Sequence, residues 1–486
     1  MFSTSNPLDL PEVRLHIGIF LRKQDLVQCL RVSRTWYNTY LPLVWRELKI
    51  GYYHRSNDTS IRPSTEDIQQ YRRWVKYLWI GTLPPGQYAF HYPNLRTLFL
   101  RQVEGRSVNK PELCPQQLIR LNTTTLTNLE LHGQNEYYTS KFWNAVGELP
   151  NLKSLYLEGS TIRKDQSGDF WRACLNLESL RLSSTSISLV DDFGSLNLTF
   201  PKLYRLSIIF VGGQIGWEQL ELIKRCPQLE ELRWKLGEWY SSAELQEAFT
   251  RFAIGKAWPR LKRLGLSDGS IRVKDEVLAD ILDALPRVTM LDVGFTRFGV
   301  LGFQVLRQHF GTISILDVTE CPAFSRAMFK EILYSCPCLR EFSGGGILVR
   351  DIAKSGPWVC LRLQKLHIQF AADPMDPNLN EKVFEKLSRL VRLEELSIGI
   401  DHLRGTKYLD FRVANGLGAL SSLTRLRSFR IQGLTRKFGE CDLIWMLTHW
   451  WNLDHFEGLP IQIESGARDK MVKLLKSYGL STGLSP

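Results

Sequence analysis

Five cations stand out by type and spacing. Arg181, Arg205, Arg233, Lys235 and Arg263 fall at alternate, solvent-side positions of short Leu-x-Leu segments. Arginine pairs bidentately with carboxylate and phosphate, so a row of such side chains is an anion-binding surface in prospect. Tyr156, Phe99 and Trp79 occupy comparable outward positions and are candidate aromatic anchors. The chain offers little for bond chemistry. It carries no Gly-x-Ser-x-Gly, His-Glu-x-x-His, phosphate-loop or kinase pattern. Cys336-x-Cys338 lacks a second ligand pair at metal spacing, so no metal and no cofactor is expected. Nor is a catalytic residue.

The elements that position those cations follow from a repeat. The pattern Leu-x-x-Leu-x-Leu, with conservative replacements, recurs from Val75 to Leu453. Its first leucines at 126, 152, 177, 203 and 229 lie 26, 25, 26 and 26 residues apart. That period is inside or close to the range of leucine-rich repeats. In Leu-Lys-Ser-Leu-Tyr-Leu (152–157) the leucines point inward, while Ser154, Tyr156 and Glu158 alternate outward. Amphipathic stretches such as 217–225, 274–285 and 327–334 supply the crossovers that parallel strands need. The expected fold is α/β, a solenoid with strands on its concave face and helices on its convex face. The cations then line four adjacent strands, followed by an acidic stretch of Asp292, Asp317 and Glu341. The glycine run 344–346 is expected to break the eleventh strand, and Cys174, Cys226, Cys336 and Cys360 to fill the core.

The first fifty residues differ. Pro11 and Glu12 open a helix whose apolar face is Val13, Ile17, Phe20 and Leu21, weakened by Gly18. Leu26, Cys29, Leu30 and Val32 form a second face, and Ser33 caps a third helix through Tyr40. The division is 1–50, a three-helix module; 51–70, a linker with a capping box at 64–67; 71–464, the repeats; and 465–486, a capping helix and tail.

This module resembles an F-box. That family runs Leu-Pro-x-Glu or similar, Ile-x-x-x-Leu, Asp-Leu, Val-(Cys/Ser)-x-x-Trp and a closing Leu-Trp. Here the matching residues are Leu10-Pro11-Glu12, Ile17 to Leu21, Asp25-Leu26, Val32-Ser33 with Trp36, and Val44-Trp45. The resemblance implies docking to the Skp adaptor, and through it to a cullin–RING ubiquitin ligase. Leu10, Pro11, Ile17, Leu21, Leu26 and Val32 would supply the contacts, with Trp36 and Trp45 in the module's core. It also implies a non-catalytic substrate receptor of the SCF type. The alternative is a scaffold acting outside ubiquitination.

Composition agrees with this class. The net charge of +12 permits acidic partners, and with Lys and Arg dispersed it does not demand nucleic acid; the row of cations is what points to an acidic or phosphorylated protein substrate. No apolar run reaches membrane length, no secretory leader opens the chain, and nine cysteines make an odd set. The cytoplasm or nucleus is the expected compartment.

Overall fold

The computed structural model describes residues 7–51, 63–81, 90–101, 115–133, 138–187, 198–209, 216–235, 243–254, 258–266, 273–371, 378–399, 409–431, 438–458 and 465–482. Parts of the expected linker (52–62) and of the spacers at 237–257 and 399–425 lie outside them. The chain forms two compact units, residues 1–229 and 230–486.

The first unit opens with helices α1 (Pro11–Phe20), α2 (Lys23–Cys29) and α3 (Arg34–Val44). Strand β1 (Glu47–Ile50) follows at once, and then α4 (Thr65–Tyr71), β2 (Tyr77–Ile80), β3 (Thr97–Arg101), α5 (Pro115–Leu121), β4 (Asn128–His132), α6 (Ser140–Gly147) and β5 (Ser154–Glu158). After β5 come β6 (Thr161–Ile162), α7 (Lys164–Cys174), β7 (Ser179–Ser183), β8 (Ser186–Ile187) and β9 (Arg205–Ile209). The order β1-β2-β3-β4-β5-β7-β9 is parallel throughout, while β6 and β8 pair separately. The register stacks Leu48, Leu78, Leu98, Leu129, Leu155, Leu180 and Leu206 in one buried column. Each such side chain contributes about 1.5–3 kcal/mol when fully buried. Behind the sheet, Trp143 of α6 meets Phe170 of α7 at 4.9 Å between ring centroids, and Phe170 meets Trp171 at 4.7 Å. The box at 64–67 forms: Ser64 Oγ accepts from Asp67 N at 3.0 Å, and Asp67 Oδ2 accepts from Ser64 N at 3.2 Å.

The second unit continues with β10 (Glu231–Lys235), β11 (Arg263–Gly265), β12 (Met290–Asp292), β13 (Ile315–Asp317), β14 (Glu341–Leu348), β15 (Lys365–Ala371), β16 (Glu395–Gly399), β17 (Ser428–Ile431), β18 (His455–Glu457) and β19 (Ser481–Thr482). These also pair in parallel, in chain order. The helix Ser465–Ser477 lies beside the last strands. Both units therefore build the leucine-rich-repeat pattern of one strand and one crossover per repeat.

Two positions close several of the repeats. The seventh residue after the first leucine takes a left-handed backbone: Gly133 (φ 85°), Gly159 (64°), Ser184 (47°), Phe295 (60°) and Glu320 (52°). The eighth buries a small polar group that satisfies backbone carbonyls. Ser160 Oγ donates to Gly133 O at 3.1 Å, Thr185 Oγ1 to Ser183 O at 2.9 Å, Thr296 Oγ1 to Val293 O at 2.6 Å, and Cys321 Sγ to Val293 O at 3.1 Å. Serine and threonine thus do what asparagine or cysteine does in the familiar repeat.

Two expectations need correction. The glycine run does not break its strand. β14 continues through it, with the register shifting between Ser343 and Gly346. Glycine is required there by a bulge and a close approach, since a Cβ on Gly344 would lie 2.9 Å from the Phe329 ring. The inner face of α1 is also different. Arg14 and Gly18 are buried, Val13 and Ile17 are intermediate, and Phe20 is 74% exposed.

Candidate functional site

Two surfaces carry the candidate residues. The first is the outside of α1–α3. Pro11 sits at the first position of α1, where its missing N–H costs nothing, and Leu10 precedes it in extended backbone. Side chains four apart share a helix face, so burying Arg14 and Gly18 turns Leu15 and Ile19 outward. Leu10, Leu15, Ile19, Phe20, Val27 and Val32 are all exposed, by 37% to 74%. Of the six residues assigned by resemblance, Leu10, Pro11 and Val32 are exposed. Ile17 and Leu21 are half-buried, and Leu26, at 6%, packs inward instead of facing a partner. Leu15, Ile19, Phe20 and Val27 belong to the exposed set and were missed. The i, i+4 pair of Leu15 and Ile19 was the available signal. Trp36 is half-buried beside Tyr40, at 5.4 Å, and Trp45 is half-buried beside Tyr71, at 4.7 Å.

The helices pack closely on one another. A Cβ on Gly18 would lie 2.5 Å from Leu43 Cδ1 and 2.7 Å from Tyr40 Cε1, so the glycine admits α3 against α1. Ser33 Oγ caps α3, accepting from Trp36 N at 3.2 Å.

The second surface is the solvent side of the strands, described unit by unit. In the first unit the register sets Lys49, Trp79, Phe99, Glu130, Tyr156, Arg181 and Ser207 in one row. Trp79 and Phe99 lie 4.2 Å apart, Phe99 and His132 4.2 Å, and His132 and Tyr156 5.0 Å. Of the three expected aromatic anchors, Trp79 and Tyr156 are half-buried, whereas Phe99, packed between Trp79 and His132, is buried. The Arg181 guanidinium lies 4.7 Å over the Tyr156 ring, a cation–π distance. His132 Nδ1 is 2.6 Å from Glu158 Oε2. Burial, and then the hydrogen bond to Glu158, push the Tyr156 phenol above its ordinary value. Arg205 lies beside Ser179 in register, its guanidinium 5.1 Å over Tyr204.

In the second unit, Arg233 and Arg263 share one acid. Glu231 Oε1 lies 3.0 Å from Arg233 Nε, and Glu231 Oε2 lies 3.3 Å from an Arg263 guanidinium nitrogen. One carboxylate thus offsets part of their combined charge inside the face. Lys235 ends β10, half-buried. Asp292 and Asp317 stand opposite each other, whereas Glu341 falls in the neighbouring row and meets Lys365 at 3.6 Å. The predicted acidic stretch is thus split by register.

Cys174, Cys226, Cys336 and Cys360 are buried, and burial raises all four thiols, Cys360 to about 12. Among the described residues, no group of three His, Cys, Asp or Glu side chains could hold a metal ion, and no helix is long and apolar enough to cross a membrane.

No family model matches the sequence, and no curated protein matches it. Among the solved structures that match is the crystal structure of the Rad7 and Elc1 complex in yeast. A chain of that structure is 13% identical, with 99% of this chain and 98% of that chain covered, at a TM-score of 0.48.

Proposed function

We propose that this chain is the substrate-recognition subunit of an SCF-type ubiquitin ligase. Helices α1–α3 dock on a Skp-type adaptor, which brings a cullin–RING ligase. The strand faces capture a protein substrate, and the chain does no bond chemistry itself. It works in the cytoplasm or nucleus.

One observation carries the reading. The stretch whose residue order resembles an F-box also exposes Leu10, Leu15, Ile19, Phe20, Val27 and Val32 within 23 positions (10 to 32). Large apolar side chains concentrated this way are costly in water unless a partner covers them. Full burial supplies about 1.5–3 kcal/mol per large apolar side chain, so covering the whole set, and not a few of its members, is what could offset the cost of association.

The test is capture of purified Skp-type adaptor by the full-length chain. The wild type is expected to form a complex on size exclusion and calorimetry. An Ile19→Asp, Phe20→Asp variant, altered only at exposed positions, is expected to bind at least about a hundredfold more weakly, a loss of ~2.7 kcal/mol. Absence of any wild-type complex overturns the reading, and so does a variant that binds as well as the wild type.

A further inference from the structure

We propose that the strand face of the first unit is an anion-anchored peptide groove. Arg181, set on Tyr156 beside Ser207, takes one carboxylate or phosphate side chain. The half-buried rings of Tyr156, His132 and Trp79, backed by the buried Phe99, take the flat side chains that follow it. The inference rests on the receptor reading only for the origin of the peptide, a segment of a substrate protein.

Arg181 is exposed, and among the described residues no carboxylate pairs with it. That sets it apart from Arg233 and Arg263. Arg233 and Arg263 share Glu231, and Lys49 lies 3.1 Å from Glu47. Stacking on Tyr156 removes part of the side chain's rotational freedom and leaves the guanidinium edge to donate as a fork. Opposite Arg181 in register stands Ser207, whose Oγ is shielded from solvent and has no hydrogen-bond partner. A shielded hydroxyl in that state is costly, and an oxyanion held by Arg181 would offer it an acceptor. Arg205 adds positive charge from the same strand, two residues away.

The row beyond Arg181 decides the kind of ligand. A polyanion fits poorly, because Glu130 lies between Phe99 and Tyr156 in register and Glu158 lies beside His132. Phosphates following one another along the rings would meet both carboxylates. One anion at the Arg181 end, followed by neutral or cationic residues with aromatic or proline rings, meets no such repulsion. Four strand intervals separate Arg181 from Trp79, about 19 Å at ~4.8 Å per interval. An extended peptide covers that span in about six residues.

The test uses the full-length chain and fluorescein-labelled octapeptide pools. Each pool carries phosphoserine, aspartate or alanine at one fixed position and Tyr or Pro two to five residues later. Anisotropy is expected to show at least tenfold tighter binding of an anionic pool than of the alanine pool. Arg181→Ala should erase the difference, Arg181→Lys should restore part of it, and Arg233→Ala should leave it intact. Preference for phosphoserine identifies a phosphorylated source, and equal binding of the aspartate pool identifies a plain carboxylate. Equal binding of all three pools overturns the proposal, as does an anion preference that survives Arg181→Ala. Tighter binding of a single-stranded oligothymidylate, lost in Arg181→Ala, would also overturn it and make the surface a nucleic-acid site. Adaptor capture depends on α1–α3 and should persist in Arg181→Ala, so failure of the docking reading and failure of the groove are separable.

Discussion

Gly18→Ala tests the packing of the docking helices. In isolation the change should help, since alanine in a helix interior is about 1 kcal/mol better than glycine. The surroundings oppose it. The new Cβ would lie 2.5 Å from Leu43 Cδ1 and 2.7 and 2.9 Å from two atoms of the Tyr40 ring, where ordinary contact begins at 3.4 Å. Leu43 can rotate away, but Tyr40 is fully buried and its ring has nowhere to go. Separating α1 from α3 by several tenths of an ångström is overpacking, which costs about 1–3 kcal/mol. The net expectation is destabilisation of the three-helix module by up to about 2 kcal/mol. Gly168 in α7 is the internal control, because its nearest neighbour is the flexible end of Arg172 at 3.7 Å. There the same substitution should stabilise by up to about 1 kcal/mol. Amide hydrogen exchange resolves the two helices in one protein. Exchange in α1 and α3 should speed, by up to about 30-fold, in Gly18→Ala, and exchange in α7 should slow in Gly168→Ala. Slower exchange of α1 in Gly18→Ala would refute the close-packing argument.

Two other outcomes follow from the second unit. His309 is buried, accepting from Val288 N through Nδ1 at 3.3 Å with Nε2 3.3 Å from Leu282 O, and burial lowers its pKa from 6.5. The unfolded chain then binds more protons, so the stability this neutral ring contributes is full above about pH 6.5 and declines as pH falls from there; melts between pH 7.5 and 5 should show this slope, and His309→Gln should flatten it. Phe295 holds φ at 60° while 52% exposed, a strained conformation for a bulky residue. Phe295→Gly should raise stability by up to about 1 kcal/mol, and an unchanged or lower melting temperature would show that the ring makes a compensating contact.

The repeat was legible because one leucine column must be rebuilt at every step, and a period near 26 survives any local substitution. Its closing positions were harder to read. Only Cys321 matched the expected asparagine or cysteine, yet Ser160, Thr185 and Thr296 occupy the same place by offering the same hydrogen bond. The slot selects a small buried donor rather than a residue name. The cationic row failed for a different reason. Outward positions were correctly assigned, but alternation says nothing of side-chain pairing, and Glu231 turns toward Arg233 and Arg263 together. In the docking helices, counting apolar residues at helical spacing put Phe20 inside. The pattern could not reveal that Gly18 is where α3 comes closest, and that contact rotates α1 so that Phe20 faces water.

The same contacts bear on how a receptor of this kind would hold its substrate. The stretch read as a linker begins after a strand that already belongs to the sheet. Only Trp45 and Arg46 separate α3 from β1, and β1 pairs with β2 along its full length. Lys23 Nζ donates to Glu47 O at 3.2 Å, tying α2 to β1. Trp45 meets Tyr71 of α4, which stacks on Trp74 at 5.5 Å and hydrogen-bonds Tyr37 of α3. Swinging α1–α3 about residues 45–46 would break the Tyr37–Tyr71 and Trp45–Tyr71 contacts and the Lys23–Glu47 hydrogen bond together. Arg181 and the exposed Ile19 and Phe20 therefore belong to one packed unit. Under the proposed function, the placement of a peptide at Arg181 relative to an adaptor on α1–α3 would be set by β-sheet register rather than by the length of a flexible tether.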